Sequence, residues 1–166
     1  MGVTVDHRTF VIERELPGSV AHAFRFWADF ELKRQWTACH PDWQVIEDHF
    51  DFRADGGERM RWRMPDGTEQ AMLAYYLEIH PRQRIVYAYT MLTAGQSISS
   101  SLVTVEFTAS GSKTTMTFTE QAVFGTTKTG DIRETGTGTG FDRLREVMVA
   151  TREEPEKTPV RLDSGA

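Results

Sequence analysis

One long segment with helical periodicity, residues 131–154, follows a run of strand-like segments that fills most of the chain. Between residues 43 and 124, apolar and polar side chains alternate with a period of two, which is typical of strands. A sheet with one apolar face must be covered, so we expect the helix to lie across that face and to enclose a space. The residues that share the covered face of the helix are Phe141, Leu144, Val147, Met148 and Thr151.

The same segment carries three glycines, Gly136, Gly138 and Gly140, at alternate positions. Each costs about 1 kcal/mol relative to alanine inside a helix, so three of them need a reason. One interpretation is that the missing side chains let a ligand or a strand approach the helix backbone closely. The other is that the helix begins only near Gly140 and that the repeat is a loop. Both interpretations stay open at the level of the sequence.

Size and charge limit the possible functions. The chain has 166 residues, which predicts a single domain over residues 1–152, followed by a disordered tail over residues 153–166 that is rich in charged residues. The net charge of −5 comes without long blocks of one sign, so no nucleic-acid partner is expected. No apolar run reaches the length of a membrane span, and residues 1–8 lack the apolar core of a signal peptide. These features predict a cytoplasmic protein.

Cysteine and histidine usage argues against disulfide and metal chemistry. The sequence has one cysteine, Cys39, which excludes an internal disulfide and a thiolate metal cage. We interpret it as a small buried or half-buried thiol rather than a nucleophile. The five histidines do not occur at zinc-type spacing, and the glycine repeat lacks the lysine of a phosphate loop. We therefore predict neither a metal nor another cofactor.

Turn residues and periodicity predict the order of the elements. Residues 9–16 form a strand, Ser19 caps a first helix, and residues 30–36 form a second short helix. Short turns join the strands that follow, so we expect an antiparallel meander. The six strands predicted between the short helices and the long helix cover residues 43–52, 59–64, 69–79, 84–92, 98–108 and 114–124.

A family resemblance is carried by motifs that occur in a fixed order over residues 8–150. The motifs are Trp36, Asp51-Phe52-Arg53-Ala54-Asp55-Gly56-Gly57, Met64-Pro65-Asp66-Gly67, Glu78-Ile79-His80-Pro81, Arg84-Ile85-Val86-Tyr87, Val103-Thr104-Val105-Glu106-Phe107, Thr119-Glu120-Gln121 and Gly140-Phe141-Asp142-Arg143-Leu144. With these motifs the chain resembles the SRPBCC/START-like superfamily, and more closely the bacterial branch of the activator of heat-shock-protein-90 ATPase homologues, which are often grouped with polyketide cyclases.

The resemblance implies an α+β architecture, the helix-grip fold of START domains and birch-pollen-allergen-like proteins. In that fold a curved antiparallel sheet wraps around a long C-terminal helix, with two short helices after the first strand. Functions in the resembling group range from lipid and hormone carriers to cyclases and co-chaperones. The resemblance therefore implies a fold and a cavity, but not one activity.

Strand alternation predicts which side chains face the enclosed space. If Ile85 points inward, then Tyr87, Tyr89 and Met91 do so too, because side chains on a strand repeat every second residue. These aromatic and methionine side chains are either the wall of a pocket or a well-packed core. The residues that we predict to bind a ligand are Trp36, Trp62, Tyr75, Tyr87, Tyr89, Met91, Phe118, Glu120, Phe124, Phe141, Leu144 and Met148.

Glu120 is the candidate catalytic residue. A carboxylate on the covered face of the last strand is costly to desolvate, which makes it a candidate general base or a polar anchor for a ligand. The alternatives are that it pairs with an arginine, Arg63 being one possibility, or that a bulge near Gln121 turns it toward water. Arg59, Arg61 and Arg63 themselves form either a cationic rim for an acidic ligand or the solvated face of a strand.

Three functions are compatible with these features. The first is an intracellular carrier or sensor that binds a small hydrophobic or amphipathic molecule between the sheet and the long helix. The second is a lyase or cyclase that acts on a polyketide-like substrate with Glu120 and a tyrosine as base and acid. The third is an interaction protein of the co-chaperone kind. We favour the binding protein over an enzyme, and the sequence leaves a homodimer open.

Overall fold

The computed structural model of the chain describes residues 5–151 and residue 153. Within these residues, the order of strands and helices confirms the predicted helix-grip fold: two short helices follow the first strand, and a long helix follows the last. The elements in chain order are β1 (Asp6–Pro17), α1 (Val20–Ala28), α2 (Phe30–Thr37), β2 (Gln44–Phe50), β3 (Gly57–Arg63), β4 (Glu69–His80), β5 (Arg84–Thr93), β6 (Gln96–Ser110), β7 (Lys113–Phe124) and α3 (Thr127–Ala150).

The strands form one antiparallel sheet in the order β1-β7-β6-β5-β4-β3-β2. Strands β2 to β7 are a meander, as the short turns predicted, and β1 pairs with β7 at the other edge. The register shifts in β2, in β4 between Tyr76 and Glu78, and between β5 and β6 at Met91. Such irregularities bend strands and increase their twist, so the sheet curves around the helices on one face.

The core lies between this face of the sheet and the three helices. Ser19 caps α1 by accepting a hydrogen bond from the backbone N–H of His22, as expected from its position before the helix. Alternating side chains of β6 and β7 are buried on the same face, so the period-two pattern is confirmed there. On α3, Phe141, Leu144 and Met148 are buried at helical spacing.

The long helix begins earlier than expected, at Thr127, and ends at Ala150. The side chain of Thr126 caps it by accepting a hydrogen bond from the backbone N–H of Thr129. All three glycines of the repeat therefore lie inside the helix, and the alternative that the repeat is a loop before Gly140 is wrong. The reason is that tertiary contacts and an N-cap can stabilise a helix against the low helical propensity of glycine.

The three helical glycines all have room for a side chain. At Gly138 the nearest atom to the position of a Cβ is Nη2 of Arg14 on β1, at 3.4 Å, which is an ordinary van der Waals contact with the end of a flexible side chain. At Gly136 and Gly140 no atom lies within 4 Å of that position. Close packing against the protein thus explains none of the three glycines.

Several further predictions have a clear outcome or lie outside the described residues. Residues 51 and 52, which we predicted to be the last residues of β2, instead begin the loop that follows it. The side chain of Cys39 is half-buried. Of the tail predicted to be disordered, only Glu153 is described, and its carboxylate accepts hydrogen bonds from the backbone and the hydroxyl of Ser19. No helix among the described residues is long and apolar enough to span a membrane.

The glycine surroundings predict opposite effects of the same substitution at two positions. Gly136→Ala should raise the free energy of unfolding by up to about 1 kcal/mol, because the methyl group enters open space and alanine favours the helix. Gly57→Ala should lower it, because the new Cβ would lie 2.5 Å from the carbonyl oxygen of Ala74 on the neighbouring strand. Urea unfolding of both variants measures the two effects. A loss of stability in Gly136→Ala would contradict the open surroundings of that helical position.

Candidate functional site

A cavity of about 290 Å³ lies between the covered face of the sheet and the helices, and it is open to solvent on one side. Its wall is mainly aromatic and thioether side chains from all three helices and from strands β3, β4, β5 and β7. The lining residues are Trp27, Lys33, Trp36, Thr37, Glu58, Met60, Trp62, Met72, Ala74, Tyr87, Tyr89, Met91, Phe118, Arg133, Thr137, Gly140 and Phe141.

The structure brings many of the predicted ligand-binding residues together in this wall. They come from α2, from three different strands and from α3, so no single segment of sequence contains the site. Their role in binding remains a prediction. The predicted residues that line the cavity are Trp36, Trp62, Tyr87, Tyr89, Met91, Phe118 and Phe141.

Other predicted residues lie elsewhere. Phe124, Leu144 and Met148 are fully buried in the core next to the cavity and do not line it. Tyr75 is a correction: it is 46% exposed on the opposite face of the sheet, where its hydroxyl donates to Asp55 at 2.8 Å. The register shift in β4 is the reason, because it places the neighbouring Tyr76 on the covered face instead.

Glu120 is completely buried on the covered face, as the alternation of β7 predicted. Its Oε1 atom accepts hydrogen bonds from the hydroxyls of Tyr89 and Ser101, both at 2.6 Å, and from Nη1 of Arg133 at 3.4 Å. Its Oε2 atom has no hydrogen-bond partner among the described residues. Glu120 does not itself line the cavity, because Tyr89 and Arg133 stand between them.

Of the two alternatives that we considered for Glu120, pairing with an arginine is confirmed and a bulge near Gln121 is wrong. The arginine is Arg133, with 3.4 Å between Nη1 and Oε1, and not Arg63, which pairs with Glu69 at 2.8 Å on the outer side of the sheet. The pairing of β6 with β7 continues without a register shift past Gln121, so no bulge turns Glu120 toward water. The exposed position of Arg63 supports the interpretation of the β3 arginines as a solvated strand face.

Arg133 of α3 is a polar residue of the wall that the sequence analysis missed. Its Nη1 donates to the hydroxyl of Tyr89 at 2.8 Å, and its Nη2 donates to the hydroxyl of Ser99 at 2.7 Å. The guanidinium lies over the rings of Tyr89 and Phe124, with its Cζ 5.3 Å from each centroid. A signal was available, because Arg133 lies eight residues before Phe141 and therefore on the covered face of the helix.

Tyr89 connects the carboxylate to the cavity. Burial, and next the charge of Glu120, raise the pKa of the Tyr89 hydroxyl well above its ordinary value. The phenol therefore stays protonated at neutral pH and donates to Glu120, while its oxygen accepts from Arg133. Both hydrogen-bonding directions of this hydroxyl are in use, so it fixes the position of Arg133 rather than offering a donor to the cavity.

A second charged cluster lies at the α2 side of the cavity. Nζ of Lys33 donates to Oε2 of Glu58 at 2.7 Å, and Arg34 pairs with Oε1 of the same carboxylate at 2.9 Å. The hydroxyl of Tyr76 also donates to Glu58, at 2.9 Å. Lys33 and Glu58 are only 7% and 3% exposed, so this is a buried ion pair.

Glu58 stays ionised in this cluster. Burial is the largest single influence and opposes its ionisation, but the charges of Lys33 and Arg34, with the hydrogen bonds from Lys33 and Tyr76, hold the pKa of Glu58 below its ordinary value of 4.5. The carboxylate thus compensates the cations of α2. Neither Lys33 nor Glu58 was singled out by the sequence analysis, since an isolated charge in a short helix or strand carries no periodic signal.

Arg133 offers hydrogen-bond donors to the cavity in an apolar surrounding. Its Nε and one N–H of its Nη2 have no acceptor among the described residues. The indole N–H groups of Trp27 and Trp62 also have no acceptor there, but these nitrogen atoms are buried beneath the cavity surface. Each wall cation has a carboxylate partner. Within residues 5–151 and 153, no three His, Cys, Asp or Glu side chains are placed to hold a metal ion.

A second depression lies on the opposite face of the sheet and is lined in part by Asp51, Asp55, Arg59 and Tyr75. Its volume of about 550 Å³ exceeds that of the cavity, but it is more open to solvent and its lining is more polar. Ligand sites are concave and mostly apolar, with a few converging polar groups. The covered cavity is closer to this description than the outer depression.

Comparison with known proteins gives a family match and similar solved structures. Residues 18–149 match the family model of the "Activator of Hsp90 ATPase homolog 1-like protein". No match was found among curated proteins.

Two solved structures share substantial sequence identity with the chain. An uncharacterized protein of Rhizobium leguminosarum is 43% identical, with a TM-score of 0.82 over 89% of this chain and 98% of that one. The Mll3558 protein of Rhizobium loti is 38% identical, with a TM-score of 0.79 over 87% and 99%. A protein of Nitrosomonas europaea, 19% identical with a TM-score of 0.66 over 87% and 96%, shares the fold alone.

The buried ion pair predicts a specific pH dependence of stability. Because the pKa of Glu58 is lowered in the folded protein, its contribution to stability is present above its ordinary value of 4.5 and is lost as the pH falls through the lowered value. Urea unfolding at pH 6 and pH 3 should therefore show a smaller loss on acidification in Glu58→Gln than in the wild type.

At pH 7, Glu58→Gln should also lower the free energy of unfolding by roughly 3–5 kcal/mol, because two cations lose their buried anion. Glu69→Gln is the matched control, since it removes a partly exposed carboxylate that also pairs with two arginines, and it should have little effect on stability. An equal pH dependence in Glu58→Gln and the wild type would contradict the assignment.

Proposed function

We propose that this chain, which belongs to the activator of Hsp90 ATPase homolog 1-like family, binds a small hydrophobic or amphipathic molecule in the cavity between the sheet and α3. In this function the protein is a carrier or a sensor rather than an enzyme. The family match over residues 18–149 and the cavity of about 290 Å³ both support the proposal.

The observation that carries the proposal is the position of Gly140 in the wall. Gly140 lies inside α3 and lines the cavity, and a side chain there would have no protein atom within 4 Å of its Cβ. An alanine would therefore fit and would stabilise the helix by up to about 1 kcal/mol. A glycine at position 140 keeps side-chain atoms out of the adjoining part of the cavity, whereas Gly136, which has equally open surroundings, does not line it.

The chemical character of the wall also supports a binding function. Three tryptophans and several methionines provide an apolar surface that adapts to the shape of a ligand, and a few polar groups converge on it. A cavity of about 290 Å³ is near the lower end of the range for ligand pockets, so it suits a small molecule better than a long-chain lipid.

A cyclase or lyase is the second candidate, and one observation favours it. Oε2 of Glu120 is buried without a hydrogen-bond partner among the described residues, as a general base awaiting a proton would be. Against this candidate, Glu120 does not line the cavity, and Tyr89 already donates to it. Binding without turnover therefore needs fewer assumptions. A co-chaperone-like interaction protein would need no cavity, so the presence of the cavity argues against this third candidate.

A pair of variants on one helix tests the binding function. Gly140→Leu should fill part of the cavity and weaken binding of the neutral dye N-phenyl-1-naphthylamine at least about tenfold, because the leucine side chain occupies the space of the ligand. The dye fluoresces in apolar surroundings, so a fluorescence titration measures its affinity. The tryptophans that line the cavity, Trp27, Trp36 and Trp62, give a second signal through quenching of their own emission.

Gly136→Leu is the matched control. It makes the same change four residues away, at an exposed position of the same helix that does not line the cavity, and it should leave dye affinity unchanged. Thermal unfolding should show that both variants remain folded. Equal binding by the two variants, or no binding by the wild type, would refute the proposed site.

A further inference from the structure

We infer that the ligand is an electrically neutral molecule with a hydrogen-bond acceptor, such as the carbonyl oxygen of a ketone, ester or quinone, and that Arg133 donates to this oxygen. This inference rests on the proposed binding function and names the chemical class that the cavity would take. It follows from two properties of the wall, its charge balance and the unused donors of Arg133.

The first property is that the wall carries no net charge. Arg133 is balanced by Glu120, with 3.4 Å between Nη1 and Oε1, and Lys33 is balanced by Glu58 at 2.7 Å. Both carboxylates are buried, at 0% and 3% exposure, so solvent does not screen them. An anionic ligand at Arg133 would add an uncompensated negative charge next to Glu120, and the cost of desolvating that charge would not be recovered.

A cationic ligand is disfavoured for the corresponding reason. The one carboxylate that lines the cavity is Glu58, and among the described residues it already accepts from Lys33, Arg34 and Tyr76. It has little capacity left for another cation. Lys33 also lies in the wall and would repel it. The charge balance therefore selects a neutral molecule.

The second property is that Arg133 has unused donors at the cavity. Its Nε and one N–H of its Nη2 have no acceptor among the described residues, whereas the unpaired acceptor Oε2 of Glu120 belongs to a residue that does not line the cavity. The hydroxyl of Tyr89 is fully engaged with Glu120 and Arg133. Unpaired donors in an apolar surrounding cost free energy that a ligand oxygen would recover. A plain hydrocarbon would leave them unpaired.

Three probes with one common skeleton separate these possibilities on the wild type. Naphthalene has no acceptor, 2-acetylnaphthalene has a neutral carbonyl, and 2-naphthoate carries a negative charge at the same position. Equilibrium dialysis at pH 7 measures the affinity of each. We expect 2-acetylnaphthalene to bind about tenfold more tightly than either of the other two, which is the effect of one hydrogen bond to a charged donor.

Glu120→Gln tests whether the charge of Glu120 determines the ligand preference, because a purely structural role would leave that preference unchanged. The substitution keeps the shape of the side chain but leaves the charge of Arg133 without its counter-ion. The preference should then move toward 2-naphthoate by at least about tenfold relative to 2-acetylnaphthalene, because the site now gains from an anion. Circular dichroism confirms the fold of the variant. Should the variant not fold, the ranking of the three probes on the wild type decides alone.

The outcomes distinguish this inference from the proposed function. Equal affinity for all three probes, or tightest binding of 2-naphthoate by the wild type, with binding abolished in Gly140→Leu, would overturn the inference and leave the cavity as a binding site. Binding that is unaffected by Gly140→Leu would overturn both. A preference for the ketone that is reversed in Glu120→Gln would support both.

Discussion

The docking of α3 against one side of the sheet determines where the molecule keeps open space. Phe141, Leu144 and Met148 are buried where the helix packs on β1, β7 and α2. Two arginines of β1 form ion pairs with carboxylates of the helix: Arg8 pairs with Asp131 at 3.0 Å, and Arg14 pairs with Asp142 at 2.9 Å. Because the helix is attached to this side, the part of the sheet that includes β3, β4 and β5 is left facing it across a gap. The cavity is that gap.

The polar groups of the cavity are held by the sheet rather than by flexible loops. Glu120 pairs with Phe10 on one side and with Val103 on the other, in the interior of three adjacent strands, so its backbone has little freedom. It holds Tyr89, which in turn accepts from Arg133. The guanidinium that faces the cavity is therefore oriented by a rigid framework, and orientation of this kind lowers the entropic cost of binding.

Much of the fold follows from patterns that the sequence displays, because side chains on strands alternate strictly. Alternation placed Glu120, Tyr87 and Tyr89 on the covered face. The face of Tyr75 could not be predicted in this way, because the register shift between Tyr76 and Glu78 interrupts the alternation along β4. Local periodicity contains no signal for such an irregularity.

The start of α3 and the hydrogen-bond partners of Arg133 could not be predicted from local sequence for a related reason. Propensity argues against a helix through Gly136, Gly138 and Gly140, and contacts distant in sequence decide otherwise. Likewise, the importance of Arg133 depends on Ser99, Tyr89 and Glu120, which lie on three other elements. The sequence identifies the wall of the cavity better than it identifies the polar network behind that wall.

Two features of the cavity lower the stability of the folded protein, and the distance between them can be compared with the length of a ligand. A buried ion pair such as Arg133 with Glu120 is often no more stable than an apolar replacement, and a glycine at position 140 weakens the helix. Both lie on the cavity side of α3, seven residues apart, which corresponds to about 10 Å along the helix axis. A ligand with its oxygen at Arg133 and its body against the backbone at Gly140 would span about this length. The two costs are thus located at the two ends of the space that a small neutral ligand would occupy.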